Sequence, residues 1–218
     1  MSSVLKNIPY TVNINELKEK LLIVNTEDDN LFSKMVEEAR QIAAPAAIYR
    51  EAYIEEKGDD YLVIDGYRLE SRLLRENIAD SQRVFLYVVT IGKELDSWGR
   101  GYTGILEAYW VEEIQKEILK SAVFYLKGLI DDLIGEGIIS EMNPGSLADW
   151  PIEEQSKIFA LLGDVEGEIG VKLIDTYLMI PAKSLSGLRF AGRTRFQNCQ
   201  LCQRGNCPDR RVPYSGMI

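Results

Sequence analysis

The chain contains no histidine. That absence removes the Ser-His and Cys-His dyads on which much nucleophilic catalysis rests, and with them the commonest nitrogen ligand for zinc and other transition metals. Cysteine is scarce too: three in 218 residues, an odd number that cannot close a complete disulfide framework. No apolar stretch approaches the roughly twenty residues of a membrane-spanning helix. No apolar signal segment follows Met1 either, so the expectation is a soluble protein of the reducing cytoplasm, without a membrane partner. Positive charge is in deficit: 25 Lys+Arg stand against 34 Asp+Glu, a formal net charge of -9. A polyphosphate chain would be repelled overall, which argues against nucleic-acid binding.

What remains suits one sizeable core, or a compact body with a small appendage: 46% of residues are hydrophobic and 27% charged. Asn13 with Glu16 three residues later reads as a capping box opening a short helix through Leu22. A second helix starts near Asp28 and Asp29, carries Leu31, Met35, Ala39 and Ile42 at helical spacing, and stops at Pro45. The period then changes. Ala47 to Ile54 and Tyr61 to Ile64 read as strands joined through Gly58-Asp59-Asp60, followed by a short helix around Glu70 to Asn77. The β-branched and aromatic run Arg83 to Ile91 predicts a strand buried on both faces. After a short helix from Glu94 to Trp98, Gly99-Arg100-Gly101-Tyr102-Thr103-Gly104 matches G-x-G-x-x-G. The dinucleotide fingerprint needs a preceding strand, so a connection between helices is the better reading. The stripe Val111, Ile114, Ile118, Ala122, Leu126, Leu129 and Leu133 predicts a long helix, ended by Gly135 and Gly137. Asn143 to Ser146 form a turn, and Pro151, Glu153 and Glu154 open a helix running through Leu162. Val171 to Ile180 read as an extended run carrying Asp175, and Pro181 to Phe190 lead through Lys183 into another strand.

Chemistry concentrates at the end of the chain. Cys199, Cys202 and Cys207 form a C-x2-C-x4-C run, dense enough for three thiolates to meet on a zinc ion or an iron–sulfur cluster. The set is one ligand short. A carboxylate such as Asp209, a water, a substrate atom or a partner's cysteine would have to complete it, the last through a homodimer. Two other readings stay open: a mobile basic tail around Arg204, Arg210 and Arg211, and reversible thiol chemistry. No catalytic constellation emerges elsewhere, since Asp131-Asp132 and Glu153-Glu154 are sequence neighbours that do not share a helix face.

Several pieces carry a family resemblance: Asn143-Pro144-Gly145 with Pro151, Phe159-Ala160-Leu161-Leu162, Gly170-Val171-Lys172-Leu173, Asp175-Thr176-Tyr177, Met179-Ile180-Pro181 and Ser184-Leu185-Ser186-Gly187. In order and spacing they resemble the activation domain of cobalamin-dependent methionine synthase. Thr90 to Leu95 and the long helix are similar to stand-alone, corrinoid-associated members of that superfamily. The resemblance implies an α+β fold, a twisted antiparallel sheet flanked by helices, occupying residues 1–192, with 193–218 as a cysteine-containing tail. It implies a part in reductive activation of corrinoid (vitamin B12)-dependent methyltransferase or methionine synthase systems, the cobalamin being held by a partner methyl-carrier protein or methyltransferase. Asn143, Pro144, Gly145, Lys183, Ser184, Ser186 and Gly187 become the candidate cofactor-binding residues.

The family's pocket motif is R-x-x-x-G-Y, whose arginine contacts the carboxylate of S-adenosylmethionine. This chain has Glu141 and Ser146 at the arginine and tyrosine positions, a reversal of charge that weighs against that ligand. Three roles therefore stand side by side: a redox accessory with a metal or iron–sulfur centre on its cysteines, a non-catalytic module that docks a corrinoid protein, and an activation subunit that binds S-adenosylmethionine.

Overall fold

The computed structural model describes residues 1–78, 81–192, 194–207 and 210–216. Along the chain come β1 (Ser3–Leu5), α1 (Ile14–Lys20), α2 (Thr26–Ile42), β2 (Ala46–Lys57), β3 (Tyr61–Ile64), β4 (Tyr67–Glu70), α3 (Arg72–Ile78), β5 (Arg83–Thr90) and α4 (Lys93–Gly99). They are followed by α5 (Ile105–Ile134), β6 (Ile138–Met142), α6 (Gln155–Leu162), α7 (Val165–Ile169), β7 (Lys172–Leu173), β8 (Met179–Ile180) and β9 (Ser184–Gly192). A seven-stranded sheet runs β4-β3-β2-β5-β9-β6, with β1 beside β2. Each of these pairings is antiparallel.

Strand β5 lies at the centre because its side chains have no polar face to show to water. Val84, Leu86 and Val88 enter one apolar cluster, and Phe85, Tyr87 and Val89 enter another on the opposite face, as the two-residue strand period requires. Helices α3, α6 and α7 cover the first face, and the C-terminal half of α5 covers the second through Ala122, Leu126 and Ile130. The N-terminal half of α5 runs on to pack with α1, α2 and α4 around Phe32, Met35, Trp110 and Ile114. Phe32 and Trp110 meet edge to face, their ring centroids 5.6 Å apart.

The helix starts follow their caps: the Asn13 side chain accepts from Glu16 N, and that of Asn25 from Asp28 N. The apolar stripes are rotated from the sequence reading. In α2 the buried residues are Phe32, Met35, Val36 and Ala39, while Leu31 is exposed. In α5 the fully buried residue after Leu126 is Ile130, and Leu133 faces solvent. Over a straight helix, 3.6 residues per turn carries the inward face from one column to the next, which Leu129 and Leu133 do not follow.

Three strands, β1, β4 and β6, were not foreseen. β3 and β4 are joined by Asp65-Gly66, both at positive φ, the pairing that a tight hairpin demands. The run from Val171 to Ile180 is no single strand. It folds into a hairpin in which Lys172 pairs with Ile180, because Asp175-Thr176 turn the chain and Tyr177 takes a left-handed conformation. Asp175 is exposed in that turn. β6, hidden in sequence by Ser140 and Glu141, forms the sheet edge against β9, and β1 is three residues long. The Gly99 to Gly104 segment does connect two helices, α4 and α5. Among the described residues no helix is long and apolar enough to cross a membrane.

The chain beyond β9 folds back onto the body. Phe196 is buried in the cluster on the α6 face, and its N–H donates to Ser140 Oγ at 3.0 Å. Replacing Trp110 by alanine should cost roughly 3–5 kcal/mol of stability. Leu133→Ala, on the exposed side of the same helix, should cost less than about 1 kcal/mol. Urea unfolding of the two variants checks the rotated stripe, which equal losses would refute.

Candidate functional site

The site begins with a missing side chain. Gly187 on β9 faces Tyr87 on β5 in register. A Cβ at Gly187 would lie 2.4 Å from Asn143 Nδ2, 2.8 Å from the Tyr87 hydroxyl and 2.9 Å from the Met142 carbonyl. The space it leaves lets the Asn143 amide enter the sheet. Asn143 Nδ2 donates to the Ser186 carbonyl at 2.8 Å and to Tyr87 Oη at 3.0 Å. Its Oδ1 accepts from Asn198 Nδ2 at 3.1 Å, which ties the C-terminal segment to the same point.

The Tyr87 hydroxyl donates in turn to Glu141 on β6. The other carboxylate oxygen of Glu141 accepts from Lys127 Nζ at 2.5 Å, with Arg189 Nη1 at 3.4 Å and Arg211 Nη1 at 3.7 Å. Arg189, opposite Glu141 on β9, also forks onto Asp131 of α5, its Nε donating at 2.8 Å. Burial pushes the Glu141 carboxyl up, but the Lys127 ammonium, the Tyr87 hydroxyl and the Arg189 guanidinium together outweigh it, and the pKa lies below the ordinary carboxylate value. Tyr87 is pushed well above its ordinary value, first by burial and then by the Glu141 charge, so it remains a neutral donor. The reversed charge at position 141 is thus offset in space by Lys127 and Arg189, and the site around it is not acidic.

Two cavities flank this network, each of about 300 Å³. The first is lined by Asn143, Pro144, Ser184 and Ser186 together with Gln155 and Tyr177. Ser186 Oγ donates to Gln155 Oε1 at 2.5 Å, and Gln155 Nε2 donates to the Tyr177 carbonyl at 2.7 Å. Ser184 is tied to Thr90 Oγ1 at 2.9 Å and to the Pro181 carbonyl at 2.8 Å. Four of the seven candidate cofactor residues therefore share one cavity. Gly145 stands behind its wall at a φ of +77°, where a Cβ would press on Ile152 at 3.1 Å. Gly187 abuts the Asn143 amide, as described. Lys183 does not line the cavity; it pairs with Glu112 of α5. Gln155, Ile152 and Leu178 line the cavity but were missed. Gln155 followed two acidic residues and read only as a helix start, whereas Tyr177 stood in the quoted Asp175-Thr176-Tyr177 segment. The second cavity is lined by Lys127, Asp131, Glu141, Arg189, Arg195 and Arg211, among others.

The three cysteines expected as metal ligands lie in the C-terminal segment beyond β9. Cys199, Cys202 and Cys207 are free and partly buried, and among the described residues no group of three or more His, Cys, Asp or Glu side chains could hold a metal ion. Instead, Arg210 ties the cysteine loop through its backbone, donating to the carbonyls of Cys199 at 2.8 Å, Cys202 at 3.0 Å and Arg204. Asp209, the suggested fourth ligand, lies outside the described residues. The Cys199 thiol is raised by burial but lowered more by the Arg211 N–H and guanidinium, and the Val212 N–H helps; the net direction is down.

No protein-family model matches the chain, and no curated protein matches it. Among solved structures it is similar to a crystal structure of the MetH reactivation domain bound to AdoHcy, with a TM-score of 0.64 and 14% sequence identity, over 90% of this chain and 80% of that one. At such identity the likeness establishes the fold, a large antiparallel sheet flanked by helices.

Glu141→Gln should destabilise by roughly 3–5 kcal/mol, because it leaves Lys127 and Arg189 without their shared counter-charge. Adding Lys127→Met should recover part of the loss in urea unfolding, and strict additivity would disprove the coupling. The pH dependence has a definite sign. With a folded-state pKa below the unfolded value of about 4.3, Glu141 contributes its full stabilisation above that value and loses it as pH falls through the folded pKa. Stability measured from pH 7 to pH 3 should fall more steeply in the wild type than in Glu141→Gln.

Proposed function

We propose that the protein assists the reductive reactivation of a corrinoid-dependent methyl-transfer system by docking a corrinoid carrier. The observation that carries this reading is the extent of the fold likeness: nine-tenths of the chain follows a methionine synthase reactivation domain. The corrinoid on the partner supplies the methyl-accepting cobalt, and an external one-electron donor returns it to its reactive state. This chain's part is to present a surface beside the first cavity. Its rim is apolar and exposed at Leu178, at 54% of its full accessibility, a side chain suited to the centre of a protein interface.

A second reading concerns a ligand in that cavity. The solved neighbour is bound to AdoHcy, and the cavity here combines the amide and hydroxyl groups of Asn143, Gln155, Ser184 and Ser186 with the apolar Ile152 and Leu185. That mixture suits an S-adenosyl compound, whose adenine stacks on apolar surface while its ribose takes hydrogen bonds.

The test is anaerobic. A corrinoid methyl carrier in the oxidised Co(II) state is mixed with a chemical one-electron reductant and S-adenosylmethionine, and methylation of the corrinoid is followed in the visible spectrum. The protein should accelerate it by at least about tenfold. Leu178→Glu should weaken association with the carrier by about tenfold while leaving the melting temperature unchanged. Neither association nor acceleration with any corrinoid carrier would end the reading. Calorimetric titration with S-adenosylhomocysteine decides the second one separately.

A further inference from the structure

We propose that the second cavity, beside Glu141, binds the dianionic phosphate group of a small phosphorylated metabolite. The argument starts from charge. The chain as a whole is acidic, at -9, yet this cavity is lined by four cations, Lys127, Arg189, Arg195 and Arg211, against two carboxylates, Asp131 and Glu141. The surplus is local and stands against the field of the rest of the molecule.

The cations are not equivalent. Lys127 and Arg189 form the floor, with side chains only 17% and 9% exposed, and both are engaged with Glu141. Arg189 is further committed to Asp131. The rim cations are differently placed. Arg211 is 54% exposed and reaches Glu141 only at 3.7 Å, and Arg195 is exposed, with no ion pair to a described carboxylate. Two guanidinium forks facing a floor already neutralised by its own pairs present a matched surplus of two positive charges. A phosphate dianion answers that number and geometry, since each guanidinium can grip two of its oxygens. Partial burial of the floor limits screening by water and salt.

The volume, about 300 Å³, exceeds what a bare phosphate fills and falls at the small end of pockets for organic ligands. Ile139 and Phe196 on the wall offer apolar contact to a short carbon portion. The C-terminal segment supplies both rim arginines, so its role here is to close an anion site over the sheet edge. The Cys199 thiol that contacts Arg211 is part of the support of that rim.

The test uses the full chain and needs no corrinoid partner, so its outcome is independent of the reactivation reading. Inorganic phosphate, pyrophosphate and glycerol phosphate are titrated calorimetrically at low and at high ionic strength. At least one should bind one to one, more weakly as salt rises. Arg195→Ala and Arg211→Ala should each weaken binding by about tenfold or more, while Arg72→Ala, a surface cation on α3 paired with Glu76, should leave it unchanged. Equal affinity for phosphate and glycerol phosphate would identify the free ion as ligand, and tighter binding of the ester would identify the metabolite. Absence of saturable binding, or binding that survives both rim substitutions, would overturn the proposal. Both rim residues are exposed, so melting temperatures close to wild type should show that the variants remain folded.

Discussion

The buried carboxylate of Glu141 organises this end of the molecule. It is ionised in a place where an unpaired charge would be intolerable, and three elements must come together to keep it so: α5 brings Lys127, β9 brings Arg189 and β5 brings the Tyr87 hydroxyl. Such a requirement constrains more than one contact. It sets the edge strand β6 against β9, the height of α5 over the sheet and the depth to which Asn143 can enter. An apolar residue at position 141 would relieve the desolvation, but it would leave Lys127 and Arg189 to find other partners. The pairing thus specifies an arrangement as much as it stabilises one.

Much of the architecture was legible because it depended on local chemistry. The β-branched run of β5 has no other plausible environment than a sheet covered on both sides, and the Asn13 cap acts within a single turn. Gly58-Asp59-Asp60 joins β2 to β3 as its residues suggest, and Asp65-Gly66, which turns β3 into β4, carries an equally readable signal. Other features could not be read. Tyr87 is one aromatic in an apolar strand, and nothing in its neighbours announces that its hydroxyl meets Glu141, which lies 54 residues away. The same holds for the cysteines. Their spacing describes what three thiolates could do, whereas their arrangement is decided by Arg210, which holds the loop by its carbonyls. A resemblance in short segments did bring Asn143, Pro144, Ser184 and Ser186 together before their strands were known to be neighbours. It gave no notice that the charge reversal at Glu141 would be answered by Lys127 and Arg189 from other elements.

The two cavities have no lining residue in common and differ in character. One is bordered by amides, hydroxyls and an exposed apolar rim; the other is walled by guanidinium groups. The network between them has few loose ends to absorb a change. Both Asn143 amide protons are engaged, and Tyr87 is locked between Asn143 and Glu141.

The contact between Asn198 and Asn143 determines where the folding unit ends. β9 finishes at Gly192, yet Phe196 is a core residue and Asn198 holds the acceptor end of the amide at the centre of the network. A fragment trimmed at the last strand would therefore be an incomplete domain with an opened edge. A tag or reporter group attached near the cysteines would sit on the structural support of the cavities, and the opposite end of the chain is the safer place for either.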